Sequence, residues 1–211
     1  MLTIFLSPKG GSGTSTVAAS HALAAAGTHG RSVLIDFCGD SPAVLGMHDP
    51  SSPGINDWLA EAQSAGAEEL LALGSPVGAV LVIHCGSRFV QGAPRWQALV
   101  DAIASWDFPV VIDAGTHFVP DELRAAAQHV LLVTRQCYLS LRRATRLPRP
   151  TGIVLVKEEG RVLTPQDVEA VLGTPVLATV PVDPSIARAI DAGVLPQRHA
   201  DIMSRHLAAL A

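Results

Sequence analysis

The segment Ser7-Pro8-Lys9-Gly10-Gly11-Ser12-Gly13-Thr14-Ser15-Thr16 follows a short apolar run and precedes a run of small helix formers. Its glycines let the backbone turn so that several N–H groups converge on one point. A helix starting directly behind them adds partial positive charge. Strand, glycine-rich turn and helix start form a phosphate cradle. Asp113 stands directly after a predicted strand, where its plain reading is a cap for the turn that follows. Cys38 reads as a small buried filler. His84 and Cys85 lack a second ligand pair and read as structural. Trp58, Trp96 and Trp106 read as packing residues.

The elements that must position these residues alternate along the chain. Apolar runs predict strands over 2–6, 32–35, 79–83, 108–112, 130–134, 153–156 and 176–179. Helices are expected over 15–26, stopped by Gly27 and Gly30. More follow over 94–105, 120–127, 138–146, 164–172, 184–192 and 200–210, with one or two short ones inside 55–73. Thr164-Pro165 supplies an N-cap with proline at the first helical position. Residues 37–54 read as a loop of functional length. Seven strands alternating with helices predict a doubly wound α/β fold. Its sheet is mostly parallel and seven-stranded, with helices on both faces, in one domain spanning 1–211. Ligands then bind at the carboxyl ends of the strands.

Composition supports this reading. The chain has 211 residues, 48% of them hydrophobic and only 16% charged, which excludes a disordered protein. Aromatics make up 4%, so Ala, Val and Leu carry the apolar content, as in a sheet buried on both faces. The three scattered cysteines exclude a disulfide framework or a zinc site and point to reduced thiols in the cytoplasm. No apolar run reaches the length of a membrane span.

The net charge of −4 gives no global pull toward nucleic acid. It hides a local excess. Arg135, Arg142, Arg143, Arg146 and Arg149 crowd the stretch TRQCYLSLRRATRLPRP. That stretch is either a solvated helix face or a patch for an anionic partner, centred on Arg142, Arg143 and Arg146. The segment 200–210 has apolar residues at helical spacing but one Arg, no Lys and no bulky aromatic. It reads as a helix docked on its own domain, not on a membrane.

The loop also carries a family resemblance. Lys9-Gly10-Gly11-Ser12-Gly13 resembles the deviant P-loop of the ParA/MinD ATPases, a SIMIBI-type P-loop NTPase fold. The resemblance implies ATP and Mg²⁺ as cofactors and a nucleotide-sandwich homodimer bridged by Lys9. It assigns nucleotide contacts to Lys9, Gly10, Gly11, Ser12, Gly13, Thr14, Ser15 and Thr16. The loop at Pro181 and Asp183 would lie beside the adenine. Ser15, Asp36 and Asp113 are the implied magnesium residues. Two departures stand out. Thr14 occupies the place of the P-loop lysine, and Cys38 that of the second switch I aspartate; Asp40 lies two residues beyond it. Val156 stands near where relatives carry an asparagine that reads adenine. PKGGSGT without that lysine looks most like the TadZ/CpaE branch, which places pilus-secretion machinery at cell poles, with some relatives bearing on septum placement.

Three readings follow. The first is a cytoplasmic positioning protein at a pole or septum: a dimeric scaffold with weak or no ATP hydrolysis, working with a protein partner of secretion or division machinery. The second is an active Mg-dependent ATPase using Lys9 as a catalytic residue with Asp40 and Asp113. The third is a module binding nucleic acid, DNA included, or an acidic partner through the arginine cluster at 135–149.

Overall fold

The computed structural model describes residues 1–60, 66–86 and 95–210. Its strands are β1 Leu2–Leu6, β2 Ser32–Asp36, β3 Ser75–Val77, β4 Val80–Ile83, β5 Val110–Gly115, β6 His129–Arg135, β7 Gly152–Lys157 and β8 Val176–Pro181. They form one sheet in the order β3-β4-β2-β5-β1-β6-β7-β8. Every pairing is parallel except β3 with β4. The helices are α1 Thr14–His29, α2 Ser41–Val44, α3 Ile55–Ala60, α4 Ala67–Ala72, α5 Trp96–Ala104 and α6 Asp121–Ala126. They continue as α7 Tyr138–Ala144, α8 Pro165–Leu172, α9 Pro184–Asp191, α10 Leu195–Ile202 and α11 Ser204–Leu207.

The expected α/β architecture is present, with an eighth strand. β3 is three residues long and holds Pro76, which no interior strand tolerates; at the sheet edge its missing N–H costs no ladder bond. Helix α1 also outruns expectation. Gly27 is absorbed within it, and Gly30, in the left-handed region at φ +80°, ends it. The loop 37–54 contains α2. The predicted helix 200–210 breaks into pieces shared among α10, α11 and a 3-10 turn over Ala208–Leu210. Residues 61–65 of the segment 55–73, and Pro94, lie outside the described residues.

Strand alternation sorts the core into two layers. Ile4, Leu6, Ile35, Ile112 and Leu132 pack with Leu59, Leu99, Leu123 and Val168 on one face. Phe5, Leu34, Val111, Leu131 and Val133 pack with Val17, Ala18 and Ala22 of α1 on the other. The second layer also receives Ile202, Met203, Leu207 and Leu210, so the C-terminal segment is docked on its own domain as expected. Among the described residues, no helix is long and apolar enough to cross a membrane. The same alternation fixes the site. Asp36 follows Ile35 and Asp113 follows Ile112, so both carboxylates face the α1 side, where the glycine loop lies.

Candidate phosphate and metal site

The loop between β1 and α1 holds Gly11 at φ +75° and Gly13 at φ +87°, conformations that disfavour any side chain. A Cβ on Gly10 or Gly11 would meet nothing within 4 Å, so the loop faces open space. Its shape is locked from below. Ser7 N–H donates to Gly115 O at 2.6 Å, and Ser12 Oγ donates to Lys9 O at 2.9 Å. The first helical bond runs from Val17 N–H to Gly13 O at 3.0 Å. The N–H groups of Thr14, Ser15 and Thr16 therefore point out of the helix, toward a cleft of about 510 Å³.

That cleft gathers Gly10 through Thr16, Cys38, Asp40 and His117. Among the described residues, no Lys or Arg lines it. Lys9 stands beside it, half-buried, its Nζ donating to Gly10 O at 3.3 Å. Thr14 is buried where a lysine would supply a point charge to phosphates. Asp40 is exposed at the rim and precedes α2 without capping it.

Asp36 and Asp113 lie deeper. Asp36 accepts from the N–H groups of Cys38 at 2.8 Å, Gly39 at 3.0 Å and Ser41 at 3.0 Å. It thereby sets the course of the chain from Cys38 to Ser41. Asp113 accepts from Gly115 N–H at 3.0 Å and from Ser41 Oγ at 3.4 Å, and Ser15 also hydrogen-bonds to it. Burial, and then the charge of Asp113, push the Asp36 carboxyl up to about 6. Burial raises Asp113 as well. Among the described residues neither carboxylate has a cationic partner, although buried charges are normally paired or metal-bound.

The donor set fits a hard divalent cation: two carboxylates, with the Ser15 hydroxyl on one of them. Asp36, Cys38 and Asp113 bring ligand atoms within 4.8 Å of one another. Cys38 is thus part of the site's wall, not only a filler. Its thiol lies 3.5 Å from Asp113 O, and burial together with the nearby carboxylates pushes its pKa far up, keeping it protonated.

Pro181 and Asp183 border a smaller apolar recess of about 170 Å³ behind Gly13, with Val156, Val180 and Ile186. Asp183 caps α9, accepting from Ser185 N–H at 2.7 Å. The predicted positions divide: Gly10 to Thr16 line the cleft, Ser15 reaches Asp113 beside Asp36, Pro181 and Asp183 border the separate recess that Gly13 and Thr16 also line, and Lys9 folds back on its own loop. His117 and Ser41 were not singled out by sequence. Ser41 had no signal; its role follows from the Asp36 turn.

The arginine cluster divides. Arg135 pairs with Glu158 at 2.5 Å, and Arg149 is tied to Gly173 O and Thr174. Among the described residues, Arg142, Arg143 and Arg146 are exposed and have no ion-pair partner. Arg142 and Arg143 lie on α7 with Tyr138 and Leu139, which are 75% and 49% exposed, and Arg146 follows in the turn after the helix.

No family model matches the sequence, and no curated protein matches it. Solved structures do. A ParA family ATPase from Chlorobium tepidum TLS superposes with a TM-score of 0.77 at 19% identity, covering 99% of this chain and 98% of that one. The septum site-determining protein MinD complexed with Mg-ADP from Pyrococcus horikoshii OT3 gives 0.71 at 19% identity, covering 100% and 94%. A chain of the MinC:MinD cell division protein complex from Aquifex aeolicus gives 0.67 at 17% identity, covering 91% and 86%. The chain has the ParA/MinD fold from end to end.

Proposed function

We propose that this chain, of ParA/MinD fold, is a positioning protein of that superfamily with a degenerate nucleotide site. It binds Mg-ATP weakly, hydrolyses it slowly or not at all, and acts as a dimeric scaffold. One observation carries the reading: a glycine cradle opens on a cleft that no Lys or Arg lines among the described residues, and Ser15 of that cradle hydrogen-bonds the buried Asp113, the cross-strand neighbour of Asp36. The cradle supplies N–H donors to phosphate, and Ser15 with Asp36 and Asp113 would hold the metal. Bound Mg²⁺ would supply the positive charge that both phosphates and carboxylates need.

The missing lysine weakens binding without abolishing it. One charge-assisted contact contributes about 1.5–3 kcal/mol, or one to two decades of affinity. Hydrolysis suffers more, because that charge and the acid replaced by Cys38 act on the transition state. The ParA and MinD neighbours include a Mg-ADP complex and a MinC complex. They support nucleotide, magnesium and a protein partner as the expected company. Placement of secretion or division machinery at a pole or septum, as in the TadZ/CpaE branch, is the cellular role this implies.

The partner surface in this reading is α7. Its Arg142 and Arg143, with Arg146 in the turn after it, have no ion-pair partner among the described residues and, beside Tyr138 and Leu139, suit an anionic partner, protein or DNA. The competing ATPase reading relies on Asp40, which lines the cleft, with Lys9 and Asp113. Thermal unfolding with Mg-ATP tests the proposal. A ligand at ~100 times its dissociation constant adds about 2.7 kcal/mol. A shift with Mg-ATP that disappears with EDTA, without phosphate release, is expected. No shift at millimolar Mg-ATP refutes nucleotide binding. Release abolished by Lys9→Ala and by Asp113→Ala selects the ATPase reading. Sedimentation as a monomer at high concentration, with and without Mg-ATP, refutes the dimer.

A further inference from the structure

A second cavity, of about 370 Å³, opens on the other face of the sheet, behind the carboxyl ends of β2 and β5. Its floor is Ile112 and Ala114, the neighbours of Asp113 that point away from the phosphate cleft. One wall is aromatic: the rings of Phe37 and Trp96 meet edge to face at 5.8 Å and 65°. Leu123 of α6 closes the back. Phe118 lies at the cavity with 75% of its surface exposed.

Among the described residues, the lining includes no Lys, Arg, Asp or Glu. A charged ligand would lose its hydration there with no counter-charge. Asn56 and His117 give the cavity its hydrogen-bonding groups. Concave, mostly apolar pockets of a few hundred Å³ with a few polar groups are the usual form of small-molecule sites.

We propose that this cavity is a second binding site, for a small uncharged aromatic molecule carrying one hydrogen-bonding group. The site is independent of nucleotide but stands back to back with the phosphate cleft. Phe37 is bonded to Asp36 and Cys38, Ala114 to Asp113 and Gly115, and His117 lines both sites.

The test is titration of the full chain, without nucleotide, with the neutral fluorophore N-phenyl-1-naphthylamine. Saturable one-to-one binding is expected, with energy transfer from tryptophan that falls in Trp96→Phe, which keeps the aromatic wall. Leu123→Trp fills the cavity and should weaken binding at least tenfold. Phe118→Ala, at an exposed position that does not endanger folding, should weaken it at least threefold. The proposal is overturned if binding does not saturate or departs from one to one. It is equally overturned if the affinity is unchanged in Phe118→Ala, or if a sulfonated analogue of the probe binds as tightly as the neutral one.

Discussion

Asp36 and Asp113 are cross-strand neighbours: their Cα positions pair in register where β2 and β5 end, and both are fully buried. Each raises the cost of ionising the other. The folded protein holds the Asp36 proton to about pH 6, whereas the unfolded chain releases it near 3.8. This contribution to stability is complete below pH 3.8 and is lost as pH rises through 6. Its size is about 3 kcal/mol at 1.36 kcal/mol per pKa unit. Urea unfolding without metal should therefore show Asp36→Asn losing less stability than the unsubstituted chain between pH 4.5 and 7. Millimolar Mg²⁺ should restore stability to the unsubstituted chain at pH 7 and do less for the variant. Equal responses to Mg²⁺ would refute the metal role of this pair.

His21 works in the opposite direction. It is 2% exposed on α1, its ring packs edge to face on Phe5, and its Nε2 has no hydrogen-bond partner among the described residues. Burial, then the nearby His129, lowers its pKa from 6.5 to about 4. The unfolded chain therefore takes up a proton before the folded one. Stability from this group is full above pH 6.5 and is lost as pH falls toward 4, by about 3 kcal/mol. His21→Leu removes that loss together with an unsatisfied buried nitrogen. It should be more stable at pH 7 by about 1–2 kcal/mol, and by more at pH 5. A variant that keeps the acid-side slope would show that another group causes it.

The site was legible because its signals are local. The glycines mark backbone that must turn, and strand alternation places Asp36 and Asp113 on the face of the loop. What escaped the sequence depends on distant chain. Nothing near Arg135 announces Glu158, so five arginines read as one cluster although two are engaged. β3 is too short and too interrupted by Pro76 to read as a strand; its pairing with β4 creates it. The aromatic cavity is built from residues between Phe37 and Leu123 that share no motif. Cys38 looked like a filler because its neighbour Asp113 lies on another strand.

Gly46 shows how the Asp40 loop is held. It ends the turn after α2 at φ +70°, and a Cβ there would run into the backbone of Gly193, itself at φ +66° after α9. Gly46→Ala combines left-handed strain of about 1–2 kcal/mol with overpacking of about 1–3 kcal/mol. Gly78→Ala is the control. It has φ +59° but open space around its Cβ, so only the strain applies. Urea unfolding should find Gly46→Ala the more destabilised of the two by at least about 1 kcal/mol. Equal losses would mean that the two loops separate freely and that their contact does not position Asp40.

Thr14→Lys tests whether the cleft is a weakened nucleotide site or a cradle with another use. Thr14 opens α1 at the wall of the cleft, beside the outward N–H groups of its first turn. A lysine there adds the cation that the lining lacks among the described residues. If the cleft takes a nucleotide, calorimetry should show Mg-ATP affinity rising by about one to two decades, the equivalent of about 1.5–3 kcal/mol. Phosphate release should stay low even so, because Cys38 still stands beside Asp113 with a protonated thiol instead of an acid. Lys9→Ala should not cancel the gain, since Lys9 donates to its own loop at Gly10 O. Unchanged affinity in a folded Thr14→Lys chain would show that the loop's geometry, and not one absent charge, keeps phosphate out.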